Sequence, residues 1–472
     1  MTVLADGGGA IHLCSDARAV PVVRSARCLS VLIVVCLPAM RAHAQAPSAE
    51  GAEQQNGETT EASAHSNEGD SGVNEAEDQV DQDRTRVAPV LLAPDEVGNQ
   101  IRAATEESAG LFDHGPISDL SRPWTQFNDG LEKETGLRLG FAYTVLYQQA
   151  TSGPGVRDAV GGDFDFFGRW RLIETDTGTR GHIGFNLEHR HRFTTIAPAS
   201  LGENIGSIWP TTRAFGTFDW RLRELWWRQS FLDDRFEFHV GTLNQKHFSD
   251  IYSFKSQNKF FLGTPFSDSP TIAFPRHGFG AMTRVSPLPE FHVTATIGDA
   301  NGTGEVGSFD SLFDDGELFA TLDLSLTPTF EGLGDGKYGL TLWHRDAREE
   351  AGIPSGGGVS LLAEQEIASN TSAFARYGYG DGADLTIEHL FAAGAVIREP
   401  FDLAGDAFGV GLSWARPSDP SLDDQWGAEA FYRIQLGNAL QLTPGFQIIV
   451  NPSESRENDV IGVFMLRCRV QF

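Results

Sequence analysis

The sequence predicts an all-β protein, a transmembrane antiparallel β-barrel of about sixteen strands preceded by an export signal and an acidic leader. Three observations carry this expectation. In Phe215 to Leu243, Phe218, Trp220 and Leu222 alternate with Asp219, Arg221 and Arg223. After an Asp233-Asp234 turn, Phe236, Phe238 and Val240 alternate with Arg235, Glu237 and His239. This is a hairpin with one large apolar face and one charged face, the contrast a strand between lipid and a wet lumen requires. Second, past the N-terminus there is no run of about 18 apolar residues, which excludes a helical membrane protein. Third, all 33 Phe, 9 Trp and 7 Tyr lie at or beyond Phe112, so the two parts of the chain differ in kind.

The N-terminus reads as an export signal over residues 1–44. Arg18, Arg24 and Arg27 precede the apolar run Cys28 to Met40, and Ala42-His43-Ala44 forms a small-x-small cleavage site before Gln45. The run is too short to span a bilayer. Residues 45–110 read as a disordered acidic leader. Up to residue 90 this stretch has eleven acids against Arg84 and Arg86 and no aromatic side chain, too little apolar surface to order a backbone. Residues 111–135 read as a short helical lead-in. Trp124, Phe127 and Leu131 share a face of a helix ending before Gly136, and Asp95 to Ser108 is a second short helical candidate.

From Gly136 to Phe472 the barrel pattern continues without interruption. Leu137, Leu139, Phe141, Tyr143, Val145 and Tyr147 oppose Arg138, Thr144 and Gln148. Phe164, Phe166 and Trp170 oppose Asp163, Asp165, Arg169 and Arg171, and Ile183, Phe185 and Leu187 oppose Asn186, Glu188, Arg190 and Arg192. After the hairpin, strands are expected near 278–286, 290–299, 316–327, 337–347, 357–369, 371–380, 387–397, 406–416, 425–436, 438–450 and 459–472, with 387–397 blurred in its alternation. About sixteen strands leave a water-filled channel, whereas about eight would close around packed side chains. The final strand places Gly462, Phe464, Leu466, Cys468, Val470 and Phe472 on one face, opposite Arg467, Arg469 and Gln471. A terminal aromatic on such a strand resembles the insertion signal of bacterial outer-membrane barrels. The connection from Asn244 to Arg276 is too rich in Phe for a solvated loop, so it is expected to fold inward and narrow the bore.

Several stretches resemble the carbohydrate-selective porins of the OprB type: LWWRQSFLDDRFEFHVGTLNQKHF (225–248), AFPRHGFGAMTRVSP (273–287), GDANG (298–302), LQLTPGFQIIVNP (440–452) and the approach PWTQFNDGLEKETGLRLGFAYT (123–144). The resemblance covers roughly 115–472. It implies a passive channel in the outer membrane of a Gram-negative bacterium, small sugars as solutes, about sixteen strands and a homotrimer in outer-membrane lipid. The acidic leader is not part of that pattern.

If the aromatic faces meet lipid, Arg138, Arg169, Arg171, Arg190, Arg192, Arg221, Arg223, Arg467 and Arg469 face the lumen. They come from the first four strands and the last, which are neighbours once the barrel closes, so they form a basic wall. Asp163, Asp165, Glu188, Asp219 and Glu237 sit among them. Guanidinium forks and carboxylates exchange hydrogen bonds with sugar hydroxyls in place of water. From the inward loop, Phe254, Phe260 and Phe261 are candidates to stack on a sugar ring, with Lys255 and Lys259 beside them. The bland alternative is that the arginines neutralise neighbouring acids and hold the loop.

Other classes are weaker. A formal net charge of −28 argues against a nucleic-acid partner. GDGKYG at 334–339 matches a dinucleotide fingerprint, but a strand pattern follows it where a helix N-terminus is needed. No other enzyme signature was found, and no cofactor or metal is expected. His189 and His191 share a strand face and read as interfacial histidines. A general or anion-preferring pore is the main alternative, and an outer-membrane hydrolase or adhesin barrel is the different class. Sugar block of conductance, anion selectivity without block, and absence of conductance distinguish the three.

Overall fold

The computed structural model describes residues 91–105, 110–111, 121–307, 310–455 and 457–472. The expected export signal and the expected leader as far as residue 90 lie outside these residues. Two helices come first, α1 (Val97–Thr105) and α2 (Arg122–Thr135). The first strands are β1 (Leu137–Ala150), β2 (Asp158–Glu174), β3 (Arg180–Arg192), β4 (Phe218–Phe231), β5 (Phe236–Leu243), β6 (Gly278–Leu288), β7 (Phe291–Asp299) and β8 (Leu318–Leu326). A two-residue ribbon, β9 (Thr329–Phe330), leads into β10 (Gly334–Arg345), β11 (Gly356–Ala368), β12 (Thr371–Gly382) and β13 (Ile387–Arg398). The last four are β14 (Ala407–Pro417), β15 (Gln425–Gly437), β16 (Leu440–Val450) and β17 (Val460–Gln471).

Leaving aside β9, sixteen strands pair antiparallel with their chain neighbours, and β1 closes the cylinder against β17 from Ala142/Gln471 to Ala150/Val463. Alternation decides which side chain faces which medium. Thr144, Gln148 and Glu188 are fully buried in the bore, while Leu412 and Trp426 are 65% and 56% exposed on the outer wall. Cross-strand pairs stiffen that wall, such as Phe446 with Phe464, ring centroids 4.7 Å apart, contributing roughly 0.2–1 kcal/mol each. Connections on one rim are short, at 289–290, 369–370 and 438–439; those on the other include 193–217, 244–277 and 300–317. Short turns on one rim and long loops on the other are the asymmetry of outer-membrane barrels. Both α2 and the C-terminus lie at the short-turn rim. α2 ends at Gly136, whose φ of 75° favours glycine and where a Cβ would strike the Arg171 carbonyl oxygen.

One strand expected from a blurred pattern forms, and three local expectations need correction. The strand expected at 387–397 forms over its whole length; Ala392, Ala393, Gly394 and Ala395 blur its alternation because small residues leave room for the Phe374 ring over Gly394. The hairpin turn spans four residues, Leu232–Arg235, with Leu232, Asp233 and Asp234 all at positive φ. Between β3 and β4 the register shifts twice. Asn186 and Leu187 pair with Glu224 and Leu222, so Arg223 is the extra residue of a bulge and the parity flips. Glu224 and Trp226 therefore turn inward and Leu225 outward. The second shift brings Phe218 to the lumenal side, where the Arg221 guanidinium lies 3.9 Å from its ring centroid. Finally, residues 91–105, placed within the 45–110 leader, lie inside the bore, where the short helix expected within 95–108 forms as α1. Leu92, Val97 and Ile101 are buried there against Phe167, Trp226 and Met282.

The core is thus the filling of the cylinder. The 244–277 loop folds inward through Tyr252, Phe254, Phe261 and Phe266, which pack on Leu362, Phe374, Val396 and Phe431 of the wall. The 193–217 loop also turns in, burying Leu201, Ile205 and Phe215 against Leu146, Ile449 and Met465.

Candidate functional site: a charged chamber in the bore

Adjacent lumenal positions of β2, β3 and β4 bring one carboxylate under three guanidiniums. The register sets Asp163 opposite Arg190, Asp165 opposite Glu188, and Glu188 opposite Arg221. Arg221 donates from Nε and Nη2 to Glu188 Oε2 at 3.0 and 2.6 Å. Arg190 Nη2 lies 2.6 Å from Glu188 Oε1, and the bulged Arg223 donates to the same oxygen. Arg190 Nε also donates to Asp163 Oδ1 at 3.0 Å, and Asn186 Nδ2 donates to Asp165 Oδ1 at 3.3 Å. Glu188 and Asp163 are therefore neutralised by Arg190, Arg221 and Arg223, the condition under which buried charge is tolerated, while Asp165 is held by Asn186. Asp163, Asp165 and Glu188 lie close together, and the Arg190, Arg221 and Arg223 guanidiniums supply the positive charge beside Glu188 and Asp163 while Asn186 donates to Asp165.

Across the bore, the inward loop presents a second ionic group. Lys246 Nζ donates to Asp268 Oδ2 at 2.6 Å, with Arg213 Nε 3.5 Å from the same oxygen. Burial alone would raise the Asp268 carboxyl, but Lys246 and Arg213 outweigh it and hold it well below the usual carboxylate range. Burial lowers the Lys255 ammonium to about 8, although it still donates to the Ser249 and Asp250 carbonyls at 2.9 and 3.1 Å. Burial, with Arg223 beside it, keeps His277 well below its normal range, and its Nε2 accepts from Arg223 Nε at 2.7 Å. Between the two groups lies a cavity of about 150 Å³. Arg190, Arg223, Asp165 and Glu224 form one side, Lys246, Lys255, Gln257 and Asp268 another.

The loop's position depends on long-range anchors. Glu429 accepts the Leu262 and Gly263 amides at 2.7 Å each. Arg376 binds Asp250 and donates to the Asp268 carbonyl at 3.0 Å, and Ser360 Oγ donates to Asp250 at 2.9 Å. Arg467 donates to the Gln257 and Phe260 carbonyls at 2.5 and 2.9 Å.

Of the residues expected from the sequence, Arg190, Arg221, Arg223 and Glu188 are brought together, and Arg190, Arg223 and Lys255 line the cavity. The others are placed elsewhere. Arg138 and Arg169 reach Glu132 of α2 at 2.7 and 3.4 Å, bracing the short-turn rim. Arg171 pairs with Glu174 nearby, while Arg192 and Asp219 are exposed at the long-loop end of their strands. Glu237 is buried between Arg228 and Arg284. Arg467 clamps the loop, and Arg469 donates to Thr144 at 2.8 Å. Phe254 and Phe261 have no exposed ring face left for a solute, and Phe260 is capped by Arg433, 5.2 Å from its centroid. Lys259 donates to the Pro94 carbonyl. Sequence reading missed Glu224, Lys246 and Asp268, which only the bulge and the loop's path bring to the cavity, whereas Asn186 sits on the lumenal face where alternation placed it.

The family model of the carbohydrate-selective porins, OprB family, matches residues 176–352 and 354–472. The chain belongs to the OprB family. It is 22% identical over 321 residues to "Porin AaxA" of Chlamydia pneumoniae, covering 64% of this chain and 70% of that protein. Its fold is similar to that of the high-pH structure of Pseudomonas putida OprB, with a TM-score of 0.62, 17% identity, and coverage of 74% of this chain and 97% of the other. This OprB-family chain is a porin channel of the Gram-negative outer membrane rather than an enzyme fold.

Proposed function

We propose that this porin passes small carbohydrates by facilitated diffusion, with Arg190 and Arg223 as the hydroxyl-reading wall of the chamber and Glu188, which Arg221 also binds, as the anchor that holds them. The observation that carries the reading is that Arg190 and Arg223, both held by Glu188, face a cavity whose other side includes the Lys246–Asp268 pair. Such paired charges present both donors and acceptors at fixed positions while leaving little net field. A neutral polyhydroxylated solute exchanges hydrogen bonds with them, and weak binding lets it leave again. The mutual neutralisation favours neutral solutes over the anion-preferring alternative. The family resemblance further implies a homotrimer in outer-membrane lipid, which cross-linking in membranes checks.

Liposome swelling across a series of pentoses, hexoses, disaccharides and sugar acids tests the proposal. Rapid swelling with neutral monosaccharides, and planar-bilayer conductance reduced by millimolar sugar, is the expected result. Faster passage of sugar acids with no sugar block would replace it with the anion reading.

A further inference from the structure

The segment Leu91–Thr105 enters the bore where a passive channel needs open water. Its turn reaches the inward loop: Ser256 Oγ donates to Asp95 Oδ1 at 2.8 Å and Lys259 Nζ to the Pro94 carbonyl at 3.3 Å. Its two flanks are held nearer the short-turn rim. Arg284 Nη2 donates to the Leu91 carbonyl at 2.8 Å, and Gln471 Nε2, next to the C-terminus, to the Gln100 carbonyl at 2.9 Å. Ala93 N donates to the His247 carbonyl at 3.1 Å, tying the segment to the base of the loop. Ala93, Asp95 and Gln100 line one side of the chamber described above.

The wall itself is adapted to this occupant. Phe167, Trp226 and Met282 are lumenal positions of three different strands, and all are buried against Leu92, Val97 and Ile101. A water-filled bore is polar, so large apolar side chains there signal a permanent or recurrent cover. The segment lies upstream of residue 176, where the match to the family model begins, as do β1 and β2.

We infer that Leu91–Thr105 is a resident gate: it floors the solute chamber and closes the path toward the short-turn rim, and solute leaves that way only when the segment shifts. This rests on the channel reading proposed above. A shift breaks contacts to several separate wall and loop elements together, so the gate moves as a unit, and its own helix α1 stays intact.

An Asp95→Cys, Ser256→Cys pair in the mature channel tests this, alongside a Val97→Asp, Ile101→Asp variant that unseats the segment. Circular dichroism confirms the barrel in each. Oxidation of the cysteine pair is expected to lower sugar flux and conductance several-fold, with recovery on reduction. The unseated variant is expected to conduct several-fold more than the parent. Equal flux in oxidised and reduced forms, with parental conductance in the unseated variant, overturns the gate and makes the segment fixed lining while leaving the channel reading intact. Silence of the unseated variant overturns both, because no open path then exists.

Discussion

Arg467 and Phe260 lie 207 positions apart in the chain, yet the Arg467 guanidinium on the last strand donates to the Phe260 carbonyl at 2.9 Å. The same nitrogen also holds the Gln257 carbonyl. A residue that sequence alone places on the solute-reading wall is therefore the clamp that sets the constriction loop's position. Replacing it with alanine leaves two part-buried carbonyls without this donor, at up to about 1–3 kcal/mol each. Arg467→Ala is expected to widen the pore and add current noise, which single-channel recording reads directly.

Glu188 is the hub of three guanidiniums, so Glu188→Gln removes the charge that compensates them. A broken buried ion pair costs about 3–5 kcal/mol. Thermal unfolding in detergent is expected to shift downward, and the reversal potential in a salt gradient is expected to move toward anion selectivity. Asp219→Asn is the control: that side chain is exposed, and its effect on stability is expected to stay within about 0.5 kcal/mol.

Acid acts through the inward loop. Asp268 is held below its ordinary value despite burial by Lys246 and Arg213, and Asp250 likewise by Arg376 and Lys255. A lowered folded-state pKa contributes stability that is present above the unfolded value of about 3.9 and lost as pH falls through the folded value. The loop is therefore expected to hold at pH 6 and to loosen only below about pH 4, seen as rising conductance. In Asp268→Asn the Lys246 contact is weakened at all pH values, and this acid-induced step shrinks.

Phe254 and Phe261 anchor the loop by packing. Truncating a buried Phe to alanine costs about 3–5 kcal/mol, and each variant is expected to lose loop order and gain conductance. Were either ring a stacking platform for sugar, the variant would instead lose sugar block at unchanged conductance. Bilayer recording with and without sugar separates the two.

Much of this architecture was legible in the chain itself. Whether a side chain meets lipid or lumen is a period-2 property, so Leu318 to Leu326, Trp426 to Leu436 and the closing Phe464-to-Phe472 stripe identify strands without tertiary information. Even the Arg190–Glu188–Arg221 association follows from alternate charged positions on neighbouring strands. What tertiary structure alone decided begins where that periodicity breaks. The extra residue at Arg223 inverts the side chains that follow it on β4, turning Trp226 inward and Leu225 outward. The roles of Phe254, Phe261 and Arg467 depend on where a loop comes to rest, and the sequence offers a short helix within 95–108 without showing that it lies inside the bore. Alternation is read between adjacent residues, whereas a loop or an inserted segment is held by partners from distant strands that meet only after the cylinder has closed.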